Sequence, residues 1–116
     1  MGNSVVHFEI IGKDGKKLQD FYSKLFDWKI DASNPMNYGL VEPSGNGIGG
    51  GIGAGDGDGH VTIYVEVADL QAALTKAEGL GGKTTMPPMA VPGGPEIAMF
   101  ADPEGHQIGL VKAGTG

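Results

Sequence analysis

Residues 5 to 30, VVHFEIIGKDGKKLQDFYSKLFDWKI, place a strand, a turn and a helix in direct succession. Over 4–11 the side chains alternate, with Val6, Phe8 and Ile10 on one face and Val5, His7, Glu9 and Ile11 on the other, which is the period-two pattern of a strand. Lys13 to Gly15 turn the chain. From Lys16 to Phe26 the apolar residues Leu18, Phe21, Tyr22, Leu25 and Phe26 recur at i, i+3, i+4, i+7 and i+8, so the spacing predicts an amphipathic helix. Its polar face carries Lys17, Asp20 and Lys24, and Phe21, Tyr22 and Phe26 are expected in the core. Short strands are expected at 28–31, 38–41 and 48–52, with turns at Asn34-Pro35 and over 43–47.

The second half repeats the order. His60 to Val67 alternates, with Val61, Ile63, Val65 and Val67 on one face and His60, Thr62, Tyr64 and Glu66 on the other. Asp69 is placed to cap a helix with the stripe Leu70, Ala73, Leu74 and Ala77, and Gly79 to Gly82 end it. Strands are expected at 83–85, 96–101 and 107–111, and Met86 to Pro95, with Pro87 and Pro88 inside, is expected as a long loop. Superposing His7 on His60, an offset of 53 residues, lays strand on strand and helix on helix, a duplication of pattern and not of identity. The expected fold is α+β: two βαβββ modules forming curved mixed sheets around a cleft, with helices on the outer face. The apolar strand faces pack beneath the helices, and the mixed faces, bearing His7, Glu9, His60, Thr62, Tyr64 and Glu66, look into one space.

At 116 residues the chain fits one domain with its own core, and the organisation expected is module one over about 4–52, a Gly-rich linker over 53–59 and module two over about 60–112. The linker belongs to a run, 45–59, in which every odd position is Gly and Gly50 is added. Its formal GxGxxG match at Gly45, Gly47 and Gly50 opens no helix and is set aside as a dinucleotide site. Asp56 and Asp58 lack the further oxygen ligands of a calcium loop, so a flexible connection is expected.

The formal net charge is -6 and every one of the eight basic residues is lysine. Nucleic-acid binding needs a basic footprint and leans on bidentate Arg, so a nucleic-acid partner is disfavoured. Without Arg the usual fork for carboxylates and phosphates is missing as well, and cationic or neutral ligands suit the surface better. No cysteine is present, which removes disulfides, thiolate metal sites and a Cys nucleophile. The N-terminal MGNSVVHFEI has neither a basic n-region nor an apolar h-region, and Val6 breaks a myristoylation pattern. A cytoplasmic location without membrane contact is the expectation.

Two stretches resemble a known family. Residues 5–30 look like the first strand and helix of the vicinal oxygen chelate superfamily of glyoxalases, ring-cleaving dioxygenases and bleomycin-resistance proteins, in which a His-bearing strand leads to a helix with an FY pair, here Phe21 and Tyr22, closing near LFGW, here Leu25 to Trp28. Residues 100–112, FADPEGHQIGLVK, are similar to the family's DPxG turn and last strand, and Asp102, Pro103 and Gly105 have a local reason as a tight turn between strands. The resemblance implies a homodimer, often with exchanged modules, and a small-molecule ligand held in the cleft.

It also implies a metal site with one ligand on the first and one on the last strand of each module. The first-strand positions match His7 and His60, but the last-strand positions, usually carboxylates, fall on Gly49 to Gly51 and on Gly109. Two imidazoles fall short of the three protein ligands of a catalytic zinc and of the two-His-one-carboxylate iron set. No cofactor is expected; the alternative is a divalent metal held by His7 and His60 with a substitute such as Glu9, Glu66, Glu96, Glu104 or His106. Trp28, Tyr38, Thr62 and Tyr64 are the candidate ligand-binding residues, the aromatic ones as a flat apolar wall, and Glu9 and Glu66 are the candidate proton carriers. Each has a plainer reading: His7 as a hydrogen-bonded half-buried histidine, His60 as a solvated strand end, Glu9 and Glu66 as solvated carboxylates, His106 as a surface residue of a turn.

Three functions follow. The first is a metal-free protein that binds a small organic molecule in a dimeric cleft. The second is a metal-dependent lyase or isomerase of glyoxalase type using His7 and His60. The third is an interaction module. Ring-cleaving dioxygenase chemistry is disfavoured, because Gly109 stands where it needs a carboxylate.

Overall fold

The computed structural model describes residues 2 to 114 and divides the chain into two compact units. One runs over Val6–Thr62; the other gathers Ile63 and the residues after it with the N-terminal stretch up to Val5. In chain order the elements are β1 (Val5–Gly12), α1 (Gly15–Phe26), β2 (Ile30–Asp31), β3 (Gly39–Val41), β4 (Gly49–Ala54), β5 (His60–Val67), α2 (Leu70–Gly79), β6 (Lys83–Ala90), β7 (Glu96–Ala101) and β8 (Gln107–Lys112). The α+β class and the repeated βαβββ order agree with the sequence.

In the first unit the strands lie in the order β2, β3, β4, β1, with β1 and β4 parallel and the other pairs antiparallel. Asp14 caps α1 by accepting a hydrogen bond from the Lys17 backbone N–H at 3.0 Å, and Asp27 ends it in the left-handed conformation, φ 60°. The core is small: Ile52 is fully buried and Val41 nearly so, and the buried side chain that α1 sends into it is polar. Gln19 Nε2 donates to the carbonyls of Ile52, 2.7 Å, and Asn37, 3.0 Å.

This arrangement overturns the expected packing of α1. Phe21, Leu25 and Phe26 are each more than half exposed, and only Leu18 and Tyr22 of the apolar stripe are half-buried. A Cβ on Gly15 would stand 2.8 Å from the Ala54 nitrogen, so the helix approaches β4 closely along the Gly15 and Gln19 side. That contact, with Gln19 bonded to the β4 backbone, turns the aromatic stripe to the flank. There Phe21, Tyr22 and Phe26 form a connected cluster with Trp28 and Phe8, ring centroids 4.9 to 6.1 Å apart.

The second unit has the same wiring: β6, β7, β8, β5, with β5 and β8 parallel. Asp69 caps α2 through the Ala72 N–H, 3.0 Å. Leu70, Leu74, Ala98 and Leu110 form the core, with Val65 and Val67 packed against it. The expected buried face of β5 is therefore buried only at its C-terminal half, since Val61 is 76% and Ile63 37% exposed.

Two further expectations are corrected. The segment Met86–Ala90 is not a loop: β6 continues through both prolines to Ala90, with register shifts around Met86. The strand lies at the edge of its unit, where a proline without an N–H removes no ladder bond on the open side. The 53–59 stretch is not a free connection either. Gly53 and Ala54 belong to β4, Gly55 N–H donates to Gly12 O at 3.0 Å, and a Cβ on Gly59 would overlap the Ile11 carbonyl oxygen. Glycine is required at 59 by this close approach to β1 as well as by its φ of 84°.

Candidate functional site

Parallel pairing of β1 with β4 sets His7 beside Gly49 and Glu9 beside Gly51. On β1 these side chains alternate with Phe8, so they point away from the face on which Phe8 meets Trp28. The glycines leave the surface of β4 bare, and Tyr38 covers it. A Cβ on Gly51 would overlap the phenol oxygen, and one on Gly53 would lie 3.2 Å from Tyr38 Cδ1. The ring is aimed by its own loop. Asn34 Nδ2 donates to the Tyr38 carbonyl at 2.7 Å, the Tyr38 N–H donates to Asn34 Oδ1 at 2.9 Å, and Asn37 takes φ 53°.

Four side chains of this unit are joined by hydrogen bonds. Tyr38 Oη donates to Glu9 Oε2 at 2.8 Å, Tyr38 Oη and His7 Nε2 are 2.9 Å apart, and His60 Nε2 and Glu9 Oε1 are 3.0 Å apart. Proton assignment follows from the acceptor. An ionised carboxylate only accepts, so the single phenol proton goes to Glu9 and His60 Nε2 must carry a hydrogen; the phenol oxygen then accepts from His7 Nε2–H. Burial, which favours the neutral ring, pushes the His7 imidazole below its ordinary value of 6.5, opposed by the nearby Glu9 charge. The Glu9 side chain is 13% exposed and that of His60 37%, so His60 is the more open of the pair.

As hydrogen-bonded here, these side chains are turned to one another rather than to a shared metal position. A ligating imidazole offers a nitrogen lone pair, whereas Nε2 of His7 and of His60 each faces an oxygen at hydrogen-bond distance, 2.9 and 3.0 Å. The β4 positions expected to supply a carboxylate, Gly49 to Gly51, are glycines, and of these Gly51 lies under the Tyr38 phenol ring. Among the described residues no group of three His, Cys, Asp or Glu side chains stands ready to hold an ion.

The structure thus brings together His7, Glu9, Tyr38 and His60. Trp28 sits with Phe8 and the α1 aromatics, two positions before the start of β2, and not beside His7. Thr62 is buried on β5. In the second unit Tyr64 is buried with its ring over Gly109, its register partner on β8, and a Cβ there would stand 2.5 Å from the ring. Glu66 is exposed; its backbone accepts from Asn3 Nδ2 at 3.0 Å. Glu104 and His106 lie exposed in or beside the turn built on Asp102, and Glu96 pairs with Lys112 at 3.7 Å. The hub role of Tyr38 is the feature that sequence reasoning missed. No local pattern signals it, because it depends on the pairing that sets Glu9 beside Gly51.

Residues 4–110 match the sequence model of the Glyoxalase/Bleomycin resistance protein/Dioxygenase superfamily. The chain belongs to this superfamily. No curated protein matches it in sequence. Similar solved structures include a hypothetical protein from Bacillus halodurans C-125, 14% identical over 97% of this chain and 95% of that one, TM-score 0.71. Methylmalonyl-CoA epimerase from Mycobacterium tuberculosis is 14% identical over 93% and 86%, TM-score 0.68. A superfamily member from Vibrio splendidus 12B01 is 14% identical over 96% and 99%, TM-score 0.64. At this identity the likeness is one of fold. Superfamily membership brings a tradition of metal sites, against which the engagement of His7 and His60 Nε2 with the oxygens of Tyr38 and Glu9 stands out.

Proposed function

We propose that this superfamily member binds a small organic molecule, as a homodimer, through the polar face of its first module and without a metal ion. The observation that carries the reading is the relay itself: His7, Tyr38, Glu9 and His60 are polar, half-buried or better apart from the more open His60, and mutually oriented by hydrogen bonds. Such a set fixes the orientation of an organic ligand through hydrogen bonds, the usual task of a few convergent polar groups in a binding site. The carboxylate of Glu9 and the net charge of -6 favour amines and neutral amides over carboxylates. Among the described residues no helix is long and apolar enough to cross a membrane.

A matched series of benzylamine, benzamide and benzoate tests the reading by amide NMR titration of the intact chain. Perturbations centred on His7, Glu9, Tyr38 and His60, with benzoate weakest, are expected, and they should vanish in His60→Ala. Absence of any perturbation by all three would contradict it. The competing lyase or isomerase reading requires about one equivalent of divalent ion in protein purified without chelators or metal resin.

A further inference from the structure

Tyr38 is bonded to both His7 and Glu9, and the other oxygen of Glu9 is bonded to His60, so a single phenol oxygen stands between one imidazole and a carboxylate that also meets a second imidazole. That combination is a recognised donor set for divalent ions. Glu9 is not one of the strand positions that the family resemblance nominates, yet it is the carboxylate that the fold delivers to both histidines.

We infer that the Tyr38 hydroxyl is the specificity-determining group of this site: it closes the His7, Glu9 and His60 set to divalent cations and leaves it to organic ligands. This rests on the metal-free reading above and names the residue responsible. Two features make the closure effective. The phenol proton is donated to Glu9 and the phenol oxygen accepts from His7 Nε2, so the Glu9 lone pair that faces the centre is already engaged and His7 turns a hydrogen to it. The hydroxyl also fills the position between them, 2.9 Å from His7 Nε2 and 2.8 Å from Glu9 Oε2. Zinc bonds to nitrogen and oxygen are about 2.0–2.2 Å, so an ion replacing that oxygen would draw each donor inward by roughly 0.7 Å, a side-chain adjustment. Gly51 matters in the same way, because only a residue without Cβ allows the ring to lie there.

The experiment measures metal in the full-length chain, purified without affinity metal, after equilibration with cobalt(II) or zinc(II) and desalting. Wild-type is expected to hold less than about a tenth of an equivalent. Tyr38→Ala, which removes both oxygen and ring, is expected to hold about one equivalent and to give the visible absorption of bound cobalt(II); the His7→Ala/Tyr38→Ala pair should lose both. Tyr38→Leu keeps apolar cover over Gly53 without the oxygen and serves the same test where the alanine variant does not fold. If folded Tyr38→Ala and Tyr38→Leu, checked by circular dichroism, both stay metal-free beside a metal-free wild-type, the role of Tyr38 is overturned and the metal-free reading stands. A stoichiometric ion in the wild-type overturns both.

Discussion

The phenol of Tyr38 fills the space above Gly51 that any side chain at this position would need. The two residues form one unit: Gly51 without Tyr38 is an uncovered strand surface, and Tyr38 without Gly51 has nowhere to lie. Gly51→Ala should therefore push the ring aside and weaken its bonds to His7 and Glu9. A loss of about 1–3 kcal/mol in unfolding free energy is expected from overpacking at such a contact. In a Tyr38→Ala background the same substitution should cost less than half as much. Urea denaturation of the four chains in this double-mutant cycle measures the coupling directly.

Gln19 is a second polar anchor. Its amide satisfies the carbonyls of Ile52 and Asn37 from within the core of the first unit. Replacing it with Leu retains bulk but leaves the buried Ile52 carbonyl without this donor, so a destabilisation of about 2 kcal/mol is expected in chemical denaturation. An unchanged or higher midpoint would show that the amide is dispensable and that α1 could have packed on its aromatic stripe.

The relay should make stability depend on pH near neutrality. Burial lowers the His7 value, so between the unfolded value of 6.5 and the lower folded one the unfolded chain binds more protons than the native chain. Stability is complete above this window and falls as pH drops through it. His7→Gln should flatten the decline between pH 7 and pH 5, about where an imidazole titrates. Asp31, held down by hydrogen bonds from Ser33, and Asp102, held down chiefly by the His106 N–H, act in a separate window: their contribution is present above 3.8 and is lost below it. Thermal unfolding across pH 3 to 8, about the span of these groups, separates the two.

Much of the framework was legible because it is written in local patterns. Alternation named β1 and β5, Asp69 announced the start of α2, and Asp102 to Gly105 gave the β7–β8 turn, whose Asp102 side chain accepts from the Glu104 and His106 N–H groups at 2.9 Å. The rotation of α1 was not legible, since helical spacing identifies an apolar stripe but not the close approach at Gly15 that turns it outward. Nor did the proline pair in β6 read as strand, because tolerance of proline depends on the strand being an edge, a property of the sheet. For the site, His7, Glu9 and His60 could be assigned to faces from parity alone. That Tyr38 joins them depends on β1 pairing with β4 in the register that sets Glu9 beside Gly51, which no local pattern reveals.

The central claim is that both imidazole Nε2 atoms carry hydrogens committed to oxygen, which leaves the site open to organic ligands and closed to metal. Long-range 1H–15N correlation of the histidine rings at pH 7.5, about one unit above the ordinary imidazole value, reads the tautomers atom by atom. His7 is predicted as the neutral Nε2–H form and His60 with hydrogen on Nε2, both unchanged on adding zinc(II). A bare Nε2 lone pair on either ring, or a zinc-induced shift at both, would contradict the account.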